Sequence, residues 1–298
     1  MNEKENKLKG WQRILLLIIP YFFIVGIFQL IGYLVAGVDV TNLESKETSI
    51  QHLIIHIFDL FGTFFVLWLF MKYVDKEEFI KLGFHTKNRC NEFIVGILIG
   101  LTIMSLGYFV LINLKEIFFV KINFDYKELL ISLLLFTIVA FVEEALCRGY
   151  ILKNLMSSFN KYIALFISSI LFSLMHSFNS NIDLFSLFSL FLAGIFLGLS
   201  YIYTKNLWFP IALHLSWNFF QALLGFNVSG QDSYSMVETR VNEGNLLNGG
   251  AFGFEGSYLS IIAELITIIG IVIYYNRKKP TLNGKPPIVK ECVTKISN

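Results

Sequence analysis

Long apolar runs decide what this chain can fold into. Eight of them, near residues 11–36, 51–74, 93–114, 129–155, 161–178, 184–204, 207–225 and 257–275, fill most of the 298 residues, and the charges collect between them. A helix needs about 20 such residues to cross a hydrocarbon core about 30 Å thick. Only 15% of the residues are charged and 55% are hydrophobic, whereas about a quarter of a soluble domain is charged. The expected fold is an all-α, polytopic transmembrane bundle of about eight helices. A membrane β-barrel does not fit, because the chain lacks alternating strand segments of about 10 residues.

The connections organise the bundle. Stretches 179–183 and 205–206 are short and make tight hairpins, while 75–92 and 226–256 are longer hydrophilic loops. The first run is too long for the apolar region of a cleaved signal peptide and reads as a retained anchor. No internal repeat is visible, so an inverted-repeat transporter finds no support. Gly96 and Gly100, and Gly194 and Gly198, are spaced four apart, which lets helix backbones approach closely in lipid.

Basic residues set the expected orientation. On eight spans, 19 of the 24 Lys and Arg fall on one side, including Lys4, Arg13, Lys76, Arg89, Lys153 and Lys279; Lys46, Lys115, Lys121, Lys127 and Arg240 fall on the other. Cytoplasmic loops carry such an excess. The expected location is a cytoplasmic membrane, multi-pass, with both termini cytoplasmic and the Gly-rich loop 226–256 outside. The net charge of +2 arises from residues that flank spans and form no basic stripe, so membrane lipids are expected partners and nucleic acid is not. Cys90, Cys147 and Cys292 lie far apart, without metal or disulfide spacing.

Three runs are interrupted by groups that carry chemistry. FVEEALCRGY places Glu143, Glu144 and Arg148 in the fourth run. Ionisable side chains at membrane depth cost several kcal/mol and face a bundle interior. Glu144 and Arg148 are four apart, the spacing of a helical ion pair, and Glu143 points about 100° away from them. The fifth run ends in Phe172-Ser-Leu-Met-His176, and the seventh contains His214-Leu-Ser-Trp-Asn218. In the seventh, an imidazole and a carboxamide share one face, and Pro210 lies one turn earlier, leaving a carbonyl near Asn206 without its helical donor. Two carboxylates, two imidazoles and a carboxamide can activate water and stabilise an oxyanion, or can bind a metal. His52, His56 and Asp59 also stand at helical spacing near the start of the second run, and are read as interface-seated polar residues in preference to an outside metal site.

EEALCR, FSLMH and HLSWN, in this order on separate apolar runs, resemble the EExxxR, FxxxH and HxxxN motifs of the CPBP family. These are intramembrane proteases related to the type II CAAX prenyl endopeptidases. The resemblance covers about 125–275, and NGGAFGFEGS resembles a Gly-rich segment before the last helix of bacterial members. It divides the chain into N-terminal helices (1–124), a catalytic core (125–275) and a polar cytoplasmic tail (276–298). It implies an endopeptidase acting on a membrane-associated peptide or protein, in peptide maturation, bacteriocin immunity or surface signalling. Glu143 would be the base with His176, His214 and Asn218 would hold the oxyanion, and Glu144 and Arg148 would support them. Both a metal-free glutamate mechanism and a zinc site on Glu143, His176 and His214 suit these residues; the first is favoured on chemistry. A non-catalytic membrane scaffold is the alternative. One expectation is geometric. Glu143 lies about 20 Å from the outer edge of its span and His176 a similar distance from the inner edge of its own, at 1.5 Å per residue. They meet only if helices tilt or the span ends shift by several residues.

Overall fold

The computed structural model describes residues 8–39 and 47–277. Lys4, Lys7, Lys46, Cys292 and the tail beyond Arg277 lie outside the described residues. Eight helices form in chain order: α1 (Gly10–Ala36), α2 (Ser49–Leu69, prolonged by a wide turn to Asp75), α3 (Cys90–Asn113) and α4 (Tyr126–Met156), then α5 (Lys161–Met175), α6 (Leu184–Thr204), α7 (Trp208–Leu223) and α8 (Tyr258–Arg277). Helices thus stand where the eight apolar runs predict them.

Their lengths correct the count of full spans. Among the described residues, six helices are long and apolar enough to cross a membrane, whereas α5 has 15 residues and α7 has 16. At 1.5 Å per residue these two are only about 22–24 Å long. A second correction is a small sheet: β1 (Ile117–Ile122) pairs antiparallel with β2 (Val237–Val241), Ile117 opposite Val241. The loop 226–256, expected as a plain outside loop, therefore ties back across the bundle.

Local signals place the helix ends. Thr48, Asp125, Asn160 and Asp183 each accept backbone N–H groups at a helix start, satisfying donors that have no intrahelical partner. Pro210 falls in the first turn of α7, where its missing N–H costs little, and the Asn206 carbonyl accepts from Thr204 Oγ1 at 3.0 Å. The glycine pairs work as expected. A Cβ on Gly96 would lie 2.8 Å from Ala212 Cβ, and one on Gly194 the same distance from Ser169, so α3 meets α7 and α6 meets α5 backbone to backbone.

The bundle has two distinguishable ends. At one, Trp11 N–H donates to Ser158 Oγ, Arg13 pairs with Asp75, and Lys153 pairs with Glu77 at 2.6 Å. The Lys153 ammonium holds the Glu77 carboxyl below its ordinary range. At the other end lie the sheet and the N-termini of α2 and α4.

Candidate active site

The first motif sits where α4 changes its winding. From Ala145 to Leu152 the helix opens into π-type turns, a feature that recurs at functional sites. Within it Arg148 Nη1 donates to Glu144 Oε1 at 2.7 Å, and both side chains are almost wholly buried. The expected i, i+4 ion pair is therefore formed. A second partner reaches the same carboxylate from α7: His214 Nδ1 lies 2.8 Å from Glu144 Oε1. Phe172, which opens the second motif, lies under the Arg148 guanidinium at 4.2 Å from ring centroid to Cζ. The three motifs thus lock through one carboxylate and one cation.

Glu143, turned away from that pair, faces the imidazoles. Its Oε2 is 3.7 Å from His176 Nε2 and 4.0 Å from His214 Nε2, and has no hydrogen-bond partner among the described residues. His176 Nδ1 lies 2.9 Å from the Phe172 carbonyl, which can only accept, so Nδ1 carries the proton and Nε2 is left for the cavity. Glu144 orders His214 in the same sense. A carboxylate oxygen and two ring nitrogens therefore surround one space, too wide for direct hydrogen bonds and suited to a shared water. Asn218, one turn beyond His214 on α7, lines the same cavity.

The geometric difficulty noted in the sequence dissolves. Glu143 stands 13 residues before the end of α4 at Met156, and His176 stands 15 after the start of α5 at Lys161. Both are thus about 20 Å above the turn that joins the two helices.

Metal binding was tested on this arrangement. His nitrogens whose other ring nitrogen is held by a carboxylate or carbonyl are the usual donors to zinc. Two ligands of one tetrahedral zinc stand about 3.3 Å apart, given bonds of about 2.0–2.1 Å. The distances from Glu143 Oε2 exceed this, and no group of three or more His, Cys, Asp or Glu among the described residues is arranged to hold a metal ion. The donor types suit zinc and the spacing does not, so no step below is routed through a metal.

The cavity, of about 330 Å³, is lined by four of the six expected site residues, Glu143, His176, His214 and Asn218, and extends well past them, while Glu144 and Arg148 lie behind its wall. His52, His56 and Asp59 of α2 line it, a correction to their reading as interface residues. Glu255, from the Gly-rich segment before α8, lines it too and accepts from Ser229 N–H at 3.1 Å and Ser229 Oγ at 2.8 Å. Burial pushes its carboxyl up, against those two bonds, which pull it down. Glu264 of α8 completes the lining. Glu255 carries a faint signal in the sequence, an acid set among glycines in an otherwise apolar stretch. Glu264 carries a plainer one: a lone charge inside an apolar run.

Fold and site together define a multi-pass helical membrane protein with a carboxylate–imidazole centre buried in its bundle. Residues 125–220 match the model of the family described as type II CAAX prenyl endopeptidase Rce1-like, a stretch that spans all three motifs. Over that segment, about a third of the chain, the protein is similar to the CAAX protease family. No curated protein and no solved structure matches the chain.

Proposed function

We propose that the protein is an intramembrane endopeptidase that hydrolyses a peptide bond with a glutamate-activated water. The observation that carries this reading is the convergence of Glu143 Oε2 with His176 Nε2 and His214 Nε2 on one cavity. A water held there gives a proton to the Glu143 carboxylate as its oxygen attacks the carbonyl carbon. His176 Nε2 accepts from the other O–H and orients the nucleophile. The oxyanion that forms is met by Asn218 Nδ2 and, when it carries a proton, by His214 Nε2. Glu143 then returns its proton to the amide nitrogen, the C–N bond breaks, and an acid and an amine leave. Glu144 acts through His214, which it holds in place, and Arg148 acts through Glu144.

The same reading covers the surroundings. Helices α1–α3 form the N-terminal part and residues 125–275 the catalytic core, although α2 contributes cavity wall to the core. Both ends of the chain are cytoplasmic, as the 19-to-5 distribution of basic residues supports when α5 and α7 are counted as crossings. The substrate is a membrane-associated peptide or protein, with peptide maturation, bacteriocin immunity or surface signalling as its setting. The test is cleavage of quenched peptides by the purified protein and by Glu143→Gln. Cleavage by the wild type and its loss in the variant are expected. Full function of Glu143→Gln in cells overturns the enzyme reading and leaves a scaffold that regulates a membrane partner.

A further inference from the structure

The charge of the cavity is one-sided. Seven carboxylates line it and no lysine or arginine does. Besides Glu143, Glu255 and Glu264, these are Glu47 just before α2, Asp59 within α2, Glu128 at the start of α4 and Asp232 in the loop before β2. Arg148, in the motif beside Glu143, is turned to Glu144 and lies outside the lining. His52 is paired with Glu47 at 3.1 Å, and Gln29 donates to Asp59 at 3.2 Å. Among the described residues that line the cavity, no permanent positive charge offsets the group.

Several polar atoms in the wall are also without partners. Glu264 is 1% exposed and its Oε2 has no hydrogen-bond partner among the described residues. The same holds for Ser189 Oγ, on a residue 1% exposed, and for Ser132 Oγ, on one 4% exposed. Glu128 Oε2 is a further buried oxygen without one. Buried acceptors of this kind cost free energy until a donor arrives. A cleft lined by one sign of charge and walled by low-dielectric material concentrates the opposite charge.

We infer that the part of the cavity beyond the Glu143–His176–His214 cluster binds a lysine- or arginine-bearing stretch of the substrate, beside the bond to be cut. An ammonium or guanidinium supplies a donor for Glu128 Oε2 and a countercharge for Asp59, Glu128 and Asp232. A substrate end with a free α-carboxylate adds like charge beside these acids, so the segment accepted is an internal, basic one. The inference rests on the protease reading for its scissile bond, but its charge preference is read by binding alone.

The experiment uses the full chain in neutral detergent and three fluorescent peptides, blocked at both ends. One carries lysines, one has glutamines in their place, and one has glutamates. The lysine peptide is expected to bind at least about tenfold more tightly than the glutamine peptide, the scale of one close charge pair. Asp59→Asn with Asp232→Asn should reduce that ratio severalfold, and Glu128→Gln is a second, independent variant should the first not accumulate. Unblocking the C-terminus of the lysine peptide should weaken binding. Equal binding of the lysine and glutamine peptides, or tightest binding of the glutamate peptide, overturns the inference. Cleavage is scored separately. Selective binding without cleavage of any peptide upholds the basic-segment site and removes the protease reading. Cleavage of all three with equal affinity does the reverse.

Discussion

Glu144 holds His214 across the bundle, its Oε1 lying 2.8 Å from the Nδ1 of a histidine 70 residues later in the chain. The same oxygen accepts from Arg148, so one buried carboxylate fixes both the ring and the cation. Glu144→Gln or Arg148→Ala strands a buried charge, at about 3–5 kcal/mol in soluble proteins. Both variants should accumulate poorly as well as lose activity. Immunoblotting of membranes beside a cleavage assay checks this, and normal accumulation of either variant would contradict it.

Glu143 has no such structural partner. Glu143→Gln keeps shape and removes the base, so accumulation should match wild type while turnover falls by at least about 100- to 10,000-fold, the usual contribution of a positioned base. Thermal denaturation of the purified variant should coincide with that of wild type. A matching loss of thermal stability would make Glu143 a structural residue instead.

Asn218 separates transition-state from ground-state contacts. Asn218→Ala should lower kcat about 100- to 1000-fold, as removal of one oxyanion donor does, with KM little altered. Asn218→Asp should be worse still, since it adds negative charge where an oxyanion forms. A change confined to KM would place Asn218 on the substrate and away from the reacting carbonyl.

The wide spacing around Glu143 bears on zinc. Metal analysis of the purified wild type is expected to find no stoichiometric zinc, and a strong chelator should leave peptide cleavage intact. Zinc at one equivalent that disappears in His214→Ala would reverse the mechanism.

Packing can be tested at glycines. Gly96→Ala puts a methyl 2.8 Å from Ala212 Cβ and 3.0 Å from the Leu213 nitrogen. Forcing α3 from α7 costs about 1–3 kcal/mol by overpacking and moves the helix that carries His214 and Asn218. Activity should fall and thermal stability with it. Gly26→Ala and Gly270→Ala meet nothing within 4 Å and should leave both unchanged.

Helices and motif residues were legible because both are written locally. Runs of apolar residues mark α1–α8, and a charge inside such a run is expensive enough to advertise itself. What failed depends on contacts between distant segments. The β1–β2 pairing joins Phe118 to Arg240, and Val237–Val241 alone, half polar, reads as loop. His52, His56 and Asp59 read as interfacial because their span was taken alone; the cavity wall exists only once α2 meets α4 and the loop before β2 closes over them. Glu255 was assigned to a solvent loop for the same reason. Its approach to the site depends on the turn at Gly253, where φ is 103°, and on the hydrogen bonds from Ser229.

The 15 residues of α5 are some 8 Å shorter than the hydrocarbon layer is thick. Such hydrophobic mismatch is met by a thinner bilayer or by water drawn down beside the protein. His176 caps the C-terminal end of this stub, and the non-helical backbone up to Asp183 follows it. Polar backbone at that depth survives only against protein or water. Hydrolysis consumes one water per bond, and a bilayer core holds almost none. On the proposed mechanism, the stop of α5 at Met175 leaves the polar stretch beside His176 as the route by which water reaches Glu143.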